Sequence, residues 1–402
     1  MKRWLSIVGI GEDGLSGLSP AARTLVDTAE VLIGGERHLA MVPASPADAC
    51  ERLTWPTPLS CLANRIGDLR GRRVCVVATG DPMQFGIGAT LIRHVPPEEI
   101  SVLPGVSAFT LAAARLAWPL DRASQLTLHG RPVETLALHV HPGARLLILA
   151  HDARTPAAVA EWLVAHGFGE SRMIALSHMG GAAEARHEAT AADWRIEVPD
   201  FHTLAVECVA GRAARWWPRA AGLPDGEYEH DGKLTKRELR ATALAKLMPH
   251  PGALLWDVGA GCGSIGIEWM RSANHACAVA LEPSPERRAM AARNAAKLGV
   301  PDLDIRDLAA PEGLAGLPAP DAVFLGGGIS EPAIAAAADA LLDGGRLVAH
   351  AVTLESEAML SAAYARHGGE LVRLTVARAE PIGRYAGWRP AMPVTQWAWR
   401  KA

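Results

Sequence analysis

Leu254-Leu255-Trp256-Asp257-Val258-Gly259-Ala260-Gly261-Cys262-Gly263-Ser264 is the stretch on which the reading of this 402-residue chain turns. An apolar run ends in an aspartate, glycines follow at 259, 261 and 263, and a helical pattern from Ile265 to Met270 begins at once. That succession predicts a strand, a tight turn and a helix whose N-terminus faces the turn. Glycines there accept left-handed backbone and let a ligand come close to the N–H groups. The spacing is D-x-G-x-G-x-G, whereas a dinucleotide turn reads G-x-G-x-x-G and seats a pyrophosphate on the helix N-terminus. A nucleoside without that phosphate is therefore the favoured ligand; a dehydrogenase, or a turn with no ligand, are the alternatives. A second apolar run, Ala278-Val279-Ala280-Leu281, ends at Glu282, nineteen residues after Gly263. A carboxylate there can accept both hydroxyls of a ribose.

On these residues the stretch resembles the first motif of Rossmann-like class I methyltransferases, which bind S-adenosylmethionine (SAM). The resemblance implies SAM contacts from Gly259, Ala260, Gly261, Cys262 and Gly263, with Glu282 on the ribose. The pattern continues with an amphipathic helix over 286–297 and a strand over 303–308. In that reading Asp307 takes the adenine amino group and the backbone of Leu308 the ring. A fourth strand runs into Gly326-Gly327-Gly328, a fifth spans 346–352, and 370–376 with 396–400 supply a closing antiparallel pair. The aromatic-Pro clamp of many N-methylating enzymes is missing after the fourth strand, which points to a carbon nucleophile or a large flat substrate.

The chain is long enough for two domains. With 49% hydrophobic and 21% charged residues it reads as a globular enzyme, and a net charge of −3 gives no sign of a nucleic-acid partner. No apolar run reaches membrane-spanning length, and Met1-Lys2-Arg3-Trp4 leads into a strand-like run instead of a signal peptide. A cytoplasmic protein with no membrane partner is expected. The cysteines, Cys50, Cys61, Cys75, Cys208, Cys262 and Cys277, stand singly, with no C-x-x-C pair. They read as small hydrophobes, Cys262 included, and no metal site is expected.

The first half opens with Leu5-Ser6-Ile7-Val8-Gly9-Ile10-Gly11-Glu12-Asp13-Gly14, and Ser19-Pro20 starts a helix. A buried-strand run over 73–79 ends in Gly80-Asp81-Pro82-Met83. Another over 100–103 ends in Pro104-Gly105-Val106-Ser107-Ala108 and a helix over 109–116. Strands alternating with helices predict a mostly parallel sheet with the site at the strand carboxyl ends. From about 125 to 209 a second α/β subdomain follows. Its histidines 129, 139, 141, 151, 178, 187 and 202 read mostly as surface or loop residues.

These loops, in this order, resemble those of the tetrapyrrole methylases, the class III methyltransferases. The resemblance implies SAM folded in a cleft between two α/β subdomains, in contact with Gly80, Asp81, Pro82, Met83, Val106, Ser107 and Ala108. The first loop departs from the family's G-x-G-P-G-D, with Glu12-Asp13 in place of Pro-Gly. Asp81 also fits a plain Asp-Pro turn.

Pro and Gly cluster around Arg212 to Gly226, beside the tandem Trp216-Trp217, so the domains are read as 1–212 and 229–402 with a linker over 213–228. Packing, as at a hinge, is the expected use of the tryptophans. Next comes Asp231-Gly232-Lys233-Leu234-Thr235-Lys236-Arg237-Glu238-Leu239-Arg240, in which Thr235 and Glu238 fit a capping box. The stretch resembles the D-x-x-M-T-K-x-E-x-R of the decarboxylating methyltransferase of the cobalamin pathway. That resemblance puts Thr235 near SAM and makes Lys236, Arg237 and Arg240 candidates for lining the substrate site. Arg384 and Arg389, flanking Tyr385 and Trp388, are weaker ones. Arginine forks suit a substrate rich in carboxylates.

The expected fold class is thus α/β, an N-terminal class III tetrapyrrole methylase followed by a C-terminal Rossmann-like class I methyltransferase. The pair resembles the bifunctional precorrin methyltransferases of cobalamin synthesis. That implies SAM at two sites per chain, a tetrapyrrole (precorrin) substrate, methylation at carbons 5 and 15, and loss of carbon dioxide from the ring-C acetate. A homo-oligomer is expected, and no catalytic acid or base is identifiable. Competing readings are the cobalt-precorrin version, a nicotinamide-dependent reductase, or one half serving only as a binding or assembly module.

Overall fold

The computed structural model describes residues 3–43, 50–56 and 62–402, so Met1, Lys2 and Cys61 of the reading above lie outside the described residues. Two compact units result, one of Met1–Val133 with Pro142–Arg215 and the other of Glu134–His141 with Trp216–Ala402.

The first unit opens with β1 (Leu5–Ile10), α1 (Pro20–Asp27), β2 (Val31–Gly34), α2 (Glu36–Ala40), β3 (Glu51–Thr54), α3 (Leu62–Gly67), β4 (Val74–Thr79), α4 (Gly88–Leu91), β5 (Ile100–Leu103) and α5 (Ala108–Leu116). The sheet has the order β3-β2-β4-β1-β5 and is parallel throughout. Its central strand β4 is an apolar run buried on both faces, with all of Val74 to Ala78 buried. As expected, the Ser19 side chain caps α1 by accepting the Ala22 N–H, with Pro20 in the first turn.

β6 (Ser124–Thr127), β7 (Arg145–Leu149), α6 (Thr155–Ala165), β8 (Arg172–Ser177), β9 (Ala185–Thr190) and β10 (His202–Glu207) follow, in the order β6-β7-β10-β8-β9. Here only β6 and β7 run parallel; the remaining pairs are antiparallel. α5 joins the two sheets. Its buried Phe109 and Ala112 pack on Leu147, Ile174 and Ala205 of the second sheet, and a buried phenylalanine contributes about 1.5–3 kcal/mol.

The second unit contains α7 (Arg237–Leu247), β11 (Leu254–Val258), α8 (Ser264–Ser272), β12 (Cys277–Leu281), α9 (Pro285–Lys297), β13 (Asp304–Arg306), β14 (Ala322–Leu325), α10 (Glu331–Ala340), β15 (Arg346–Ala351), α11 (Leu354–His367), β16 (Glu370–Leu374), β17 (Ala377–Ile382), β18 (Tyr385–Pro390) and β19 (Val394–Arg400). The main sheet reads β13-β12-β11-β14-β15-β19-β16, with β19 antiparallel to both neighbours and the rest parallel. The strand order reverses at β11 and β14, where a crevice opens at the carboxyl ends. Trp256, Val258, Leu281, Val323, Leu347 and Trp397 form the core under it. β17 and β18 pair only with each other among the described residues.

One local expectation is corrected. α7 starts at Arg237 with Lys236 as its N-cap and no side-chain cap. The capping box does not form because the helix begins one residue too late for Thr235 to cap it, and Glu238 instead bonds Arg378 at 2.5 Å. No helix among the described residues is long and apolar enough to cross a membrane.

Candidate active sites

In the first unit the ends of β1, β4 and β5 are tied by backbone alone. The Gly80 N–H donates to the Ile10 carbonyl at 3.0 Å, and the Gly105 N–H donates to the Gly80 carbonyl at 2.9 Å. A methyl on Gly9 would lie 1.8 Å from the Gly80 carbonyl oxygen and 2.3 Å from the Gly105 nitrogen, so no side chain fits between these strands. The loops that emerge border a cavity of 450 Å³, lined by Gly80, Val106, Ala108 and Leu111 and, from the second subdomain, Leu149, Leu176, Met179 and Thr203. That size suits a small-molecule site. A neighbouring pocket of 240 Å³ takes in Asp81, Ser107 and Ala108. Of the residues singled out in sequence, Gly80, Asp81, Val106, Ser107 and Ala108 thus gather on the two cavities, while Pro82 is buried and Met83 exposed. Asp81 also holds its own turn, accepting the Met83 N–H at 2.9 Å. A wider groove of 860 Å³ between α6 and residues 191–198 includes none of the three loops.

Polar groups converge on the larger cavity. Glu12 is bonded to Arg37 through one carboxylate oxygen, and its other oxygen lies 2.8 Å from His178 Nδ1. Arg37 donates to Thr79 Oγ1 at 2.9 Å and lies 3.8 Å over the Phe201 ring. His38 contacts the same Thr79 hydroxyl at 2.8 Å; burial, then the neighbouring Arg37 charge, push its imidazole down to about 4. His202 is buried with Nδ1 2.7 Å from the Pro199 carbonyl, so Nδ1 carries the hydrogen and Nε2, which has no partner, is a bare acceptor. His129 and His151 face each other, Nδ1 to Nδ1, at 3.3 Å. The expectation that these histidines are mostly surface or loop residues holds for His129, His139, His141, His151 and His178, which lie outside helices and strands, whereas His202 is buried in β10. What it did not foresee is that His129, His151, His178 and His202 all line the cavity. Their partners lie far off in sequence, as with Glu12 and His178, so spacing carried no signal.

In the second unit the glycine turn is pinned from three sides. Asp257, fully buried, accepts the Gly266 N–H at 2.8 Å; burial, reinforced by the Glu282 charge, pushes its carboxyl up to about 7. Gly259 at φ 71° passes so close to Gly327 that a methyl would meet its Cα at 2.7 Å, which joins the first glycine turn to the Gly326–Gly328 loop. Glu282 accepts the Gly261 N–H at 2.8 Å and the Ser284 N–H at 3.0 Å, one on each oxygen. Each oxygen keeps a lone pair, so the carboxylate still fits the two hydroxyls of a ribose. The N–H groups of Gly259 and Ala260 donate to the Leu281 carbonyl. Cys262 is buried, its thiol pushed up to about 11 chiefly by burial, and behaves as a small hydrophobe.

Further out, Asp307 is exposed and paired with Arg288 at 2.8 Å, while Leu308 packs on the core. Arg288 also donates to the carbonyls of Glu282 and Pro283, an anchor the sequence reading did not foresee. Asn294 was likewise missed; it holds the Cys262 carbonyl at 3.0 Å and the backbone of Glu229. Thr235 and Lys236 are half-buried, and Arg237 is exposed.

Arg240 is a correction. Its side chain is fully buried and bonded to Glu268 at 2.6 Å, Asp225 at 3.2 Å and the carbonyls of Thr235 and Leu223. A guanidinium with its donors spent inside the protein does not line a substrate site. Arg389 is tied to Glu380 at 3.1 Å, and Arg384 lies 5.0 Å over the Tyr385 ring.

Residues 5–194 match the family model of the tetrapyrrole (corrin/porphyrin) methylases, and residues 226–401 that of the precorrin methyltransferase domain. A Sinorhizobium protein named precorrin-6Y C(5,15)-methyltransferase [decarboxylating] is 48% identical over 99% of this chain and 96% of its own. The chain belongs to the precorrin-6Y C5,15-methyltransferase family. Two shorter proteins are similar to part of this precorrin-6Y methyltransferase family member. One, the cobalt-precorrin-7 C(5)-methyltransferase of Salmonella typhimurium, is 35% identical over 42% of this chain and 82% of its own. The other, a probable cobalt-precorrin-6B C(15)-methyltransferase (decarboxylating) of Pyrobaculum calidifontis, is 39% identical over 44% of this chain and 95% of its own. The two-part α/β architecture read from the sequence is the architecture of this family member.

Proposed function

We propose that each unit holds its own SAM site and methylates its own carbon. As a member of its family the chain is a SAM-dependent, decarboxylating C-methyltransferase of cobalamin biosynthesis. The division of labour is our reading: carbon 5 in the first-unit cleft, and carbon 15, with loss of carbon dioxide from the ring-C acetate, in the second-unit crevice, turning precorrin-6B into precorrin-8. One observation carries it. Each unit brings glycine turns together at the carboxyl ends of its own parallel strands, and the two single-carbon relatives each match less than half of the chain. The substrate is proposed metal-free, following the name of the full-length relative.

A sulfonium methyl passes in line to an electron-rich ring carbon, so the protein's share is position and exclusion of water. In the second unit Gly259 to Gly263 and Glu282 would cradle the nucleoside, with Asp307 and Leu308 toward the adenine and Thr235 beside it. Lys236 and Arg237 would meet substrate carboxylates. In the first unit Gly80 to Met83 and Val106 to Ala108 would border the SAM. We further propose a homo-oligomer. β17 and β18 are exposed along almost their whole length, with Ile382, Tyr385 and Trp388 at 64–77% exposure, and a two-stranded hairpin is marginal in water by itself. A second copy of the chain would cover it.

Calorimetric titration of the full chain with SAM tests the central reading. Two sites per chain are expected; a single site would overturn the bifunctional assignment.

A further inference from the structure

We propose that His178, held by Glu12, is the base that removes the proton from carbon 5 after methyl transfer. The inference rests on the assignment of carbon-5 methylation to the first-unit cleft. A ring carbon that bears hydrogen attacks with a π electron pair. The C–CH₃ bond forms as the S–CH₃ bond of SAM breaks, and the breaking bond's electrons stay on sulfur, giving a thioether. The carbon then carries both hydrogen and methyl, and the ring bears the positive charge. Loss of that hydrogen as H⁺ returns the C–H electrons to the ring and restores conjugation. One proton must therefore find an acceptor in the cleft.

His178 fits this role better than the other imidazoles. His38 is engaged by Thr79 and Arg37, and His129 and His151 by each other. His202 also has a free Nε2, but its Nδ1 is held by the neutral Pro199 carbonyl and not by a carboxylate, and burial disfavours its protonated form. His178 Nδ1 lies 2.8 Å from Glu12 Oε2. With the carboxylate accepting there, Nδ1 carries the hydrogen and Nε2 the free lone pair, and the carboxylate stabilises the imidazolium once the proton arrives. Glu12 is only 13% exposed and cannot swing away, since Arg37 holds its other oxygen and is itself fixed by Thr79 and Phe201. His178 sits at φ 48°, in the left-handed region that a non-glycine residue keeps only where its surroundings hold it. Opposite, a methyl on Gly181 would lie 2.8 Å from Glu12 Cβ, so only glycine lets the two loops close around the pair. The charged groups nearby are Glu12 and Arg37 from the first subdomain and Asp200 and Glu184 from the second, the last paired with Arg115 at 2.6 Å. Glu12 belongs to the dipeptide that interrupts the first loop's G-x-G-P-G-D pattern.

The test uses the whole 402-residue chain with SAM and the metal-free precorrin, and measures product formation at each carbon by mass spectrometry. His178→Asn is expected to slow turnover at carbon 5 about 100-fold, with proton loss and not methyl transfer the slowed step. A species with interrupted conjugation, absorbing at shorter wavelength, should build up in a single turnover. Glu12→Gln, which removes the carboxylate that holds Nδ1 and fixes the imidazole, should slow the same step and build up the same species, while Glu12→Asp should restore part of the rate. These variants should keep two SAM sites and full carbon-15 activity. An unchanged carbon-5 rate in His178→Asn would overturn the inference, and so would loss of the first-unit SAM site in place of the spectroscopic species. Val106→Trp, which fills the cleft, separates the two levels. If it leaves carbon-5 methylation intact, the assignment of that reaction to the cleft fails. If it abolishes carbon-5 methylation while His178→Asn does not slow carbon-5 turnover, only the role of His178 fails.

Discussion

Glu282 Oε2 accepts a hydrogen bond from the Gly261 amide at 2.8 Å, so the acid that ends β12 also shapes the glycine turn that ends β11. Glu282→Ala removes both the turn's support and the ribose acceptor. Hydrogen bonds to a charged group contribute about 1.5–3 kcal/mol, so SAM affinity at the second unit should fall by about one to two orders of magnitude. Calorimetry should show one tight site left, with carbon-15 methylation and decarboxylation falling together while carbon-5 methylation continues.

Asp257 predicts a pH dependence of stability. Burial raises its carboxyl from 3.8 to about 7, so the folded state favours the neutral acid. An acid raised in the folded state contributes no penalty below its unfolded value; stability is lost as pH climbs from about 4 to about 7 and is level above that. Asp257→Asn keeps an oxygen for the Gly266 amide but cannot ionise. Relative to the parent, the variant should gain stability on going from pH 4.5 to pH 8, by at most about 4 kcal/mol. Parallel denaturation midpoints at the two pH values would contradict the assignment.

Arg240 should matter for folding and not for substrate affinity. Arg240→Met leaves Glu268 buried without its cation, although the amides of Gly222 and Leu223 and the Tyr228 hydroxyl still donate to it. Breaking a buried pair from one side costs about 3–5 kcal/mol. Urea denaturation should show a loss of that order, with the precorrin KM of the folded enzyme unchanged. A raised KM at unaltered stability would restore Arg240 to the substrate site.

If the hairpin is the contact between copies, Ile382→Glu together with Trp388→Glu should shift the mass measured by light scattering to a smaller species. Melting behaviour at high dilution should then match that of the parent. An unaltered mass would place any contact elsewhere.

Features set by neighbouring residues were legible in the sequence. Ser19-Pro20 starts a helix as its chemistry requires, and the glycines after Asp257 make a turn between strand and helix. The antiparallel half of the second sheet was not legible, because Gly180-Gly181 reads alike in a hairpin and in a strand-to-helix loop; here it joins β8 to β9. Arg240 read as a candidate for the substrate site, since its partner Glu268 stands 28 residues away inside another helix. Glu12 and His178 are 166 residues apart, and only folding brings them together. What the sequence did show was that the first loop carries Glu12-Asp13 where the resembled family has Pro-Gly.

Gly9, Gly80 and Gly105 meet in a space that one methyl group would overfill. The cleft is therefore founded on main chain, and substitution cannot reshape that foundation. A saturation library should leave those three positions blank and tolerate change at Phe85, which lines the cavity and is 46% exposed. Any drift in the shape of molecule the cleft admits has to come from its rim, one side chain at a time, while the chemistry beneath stays in place.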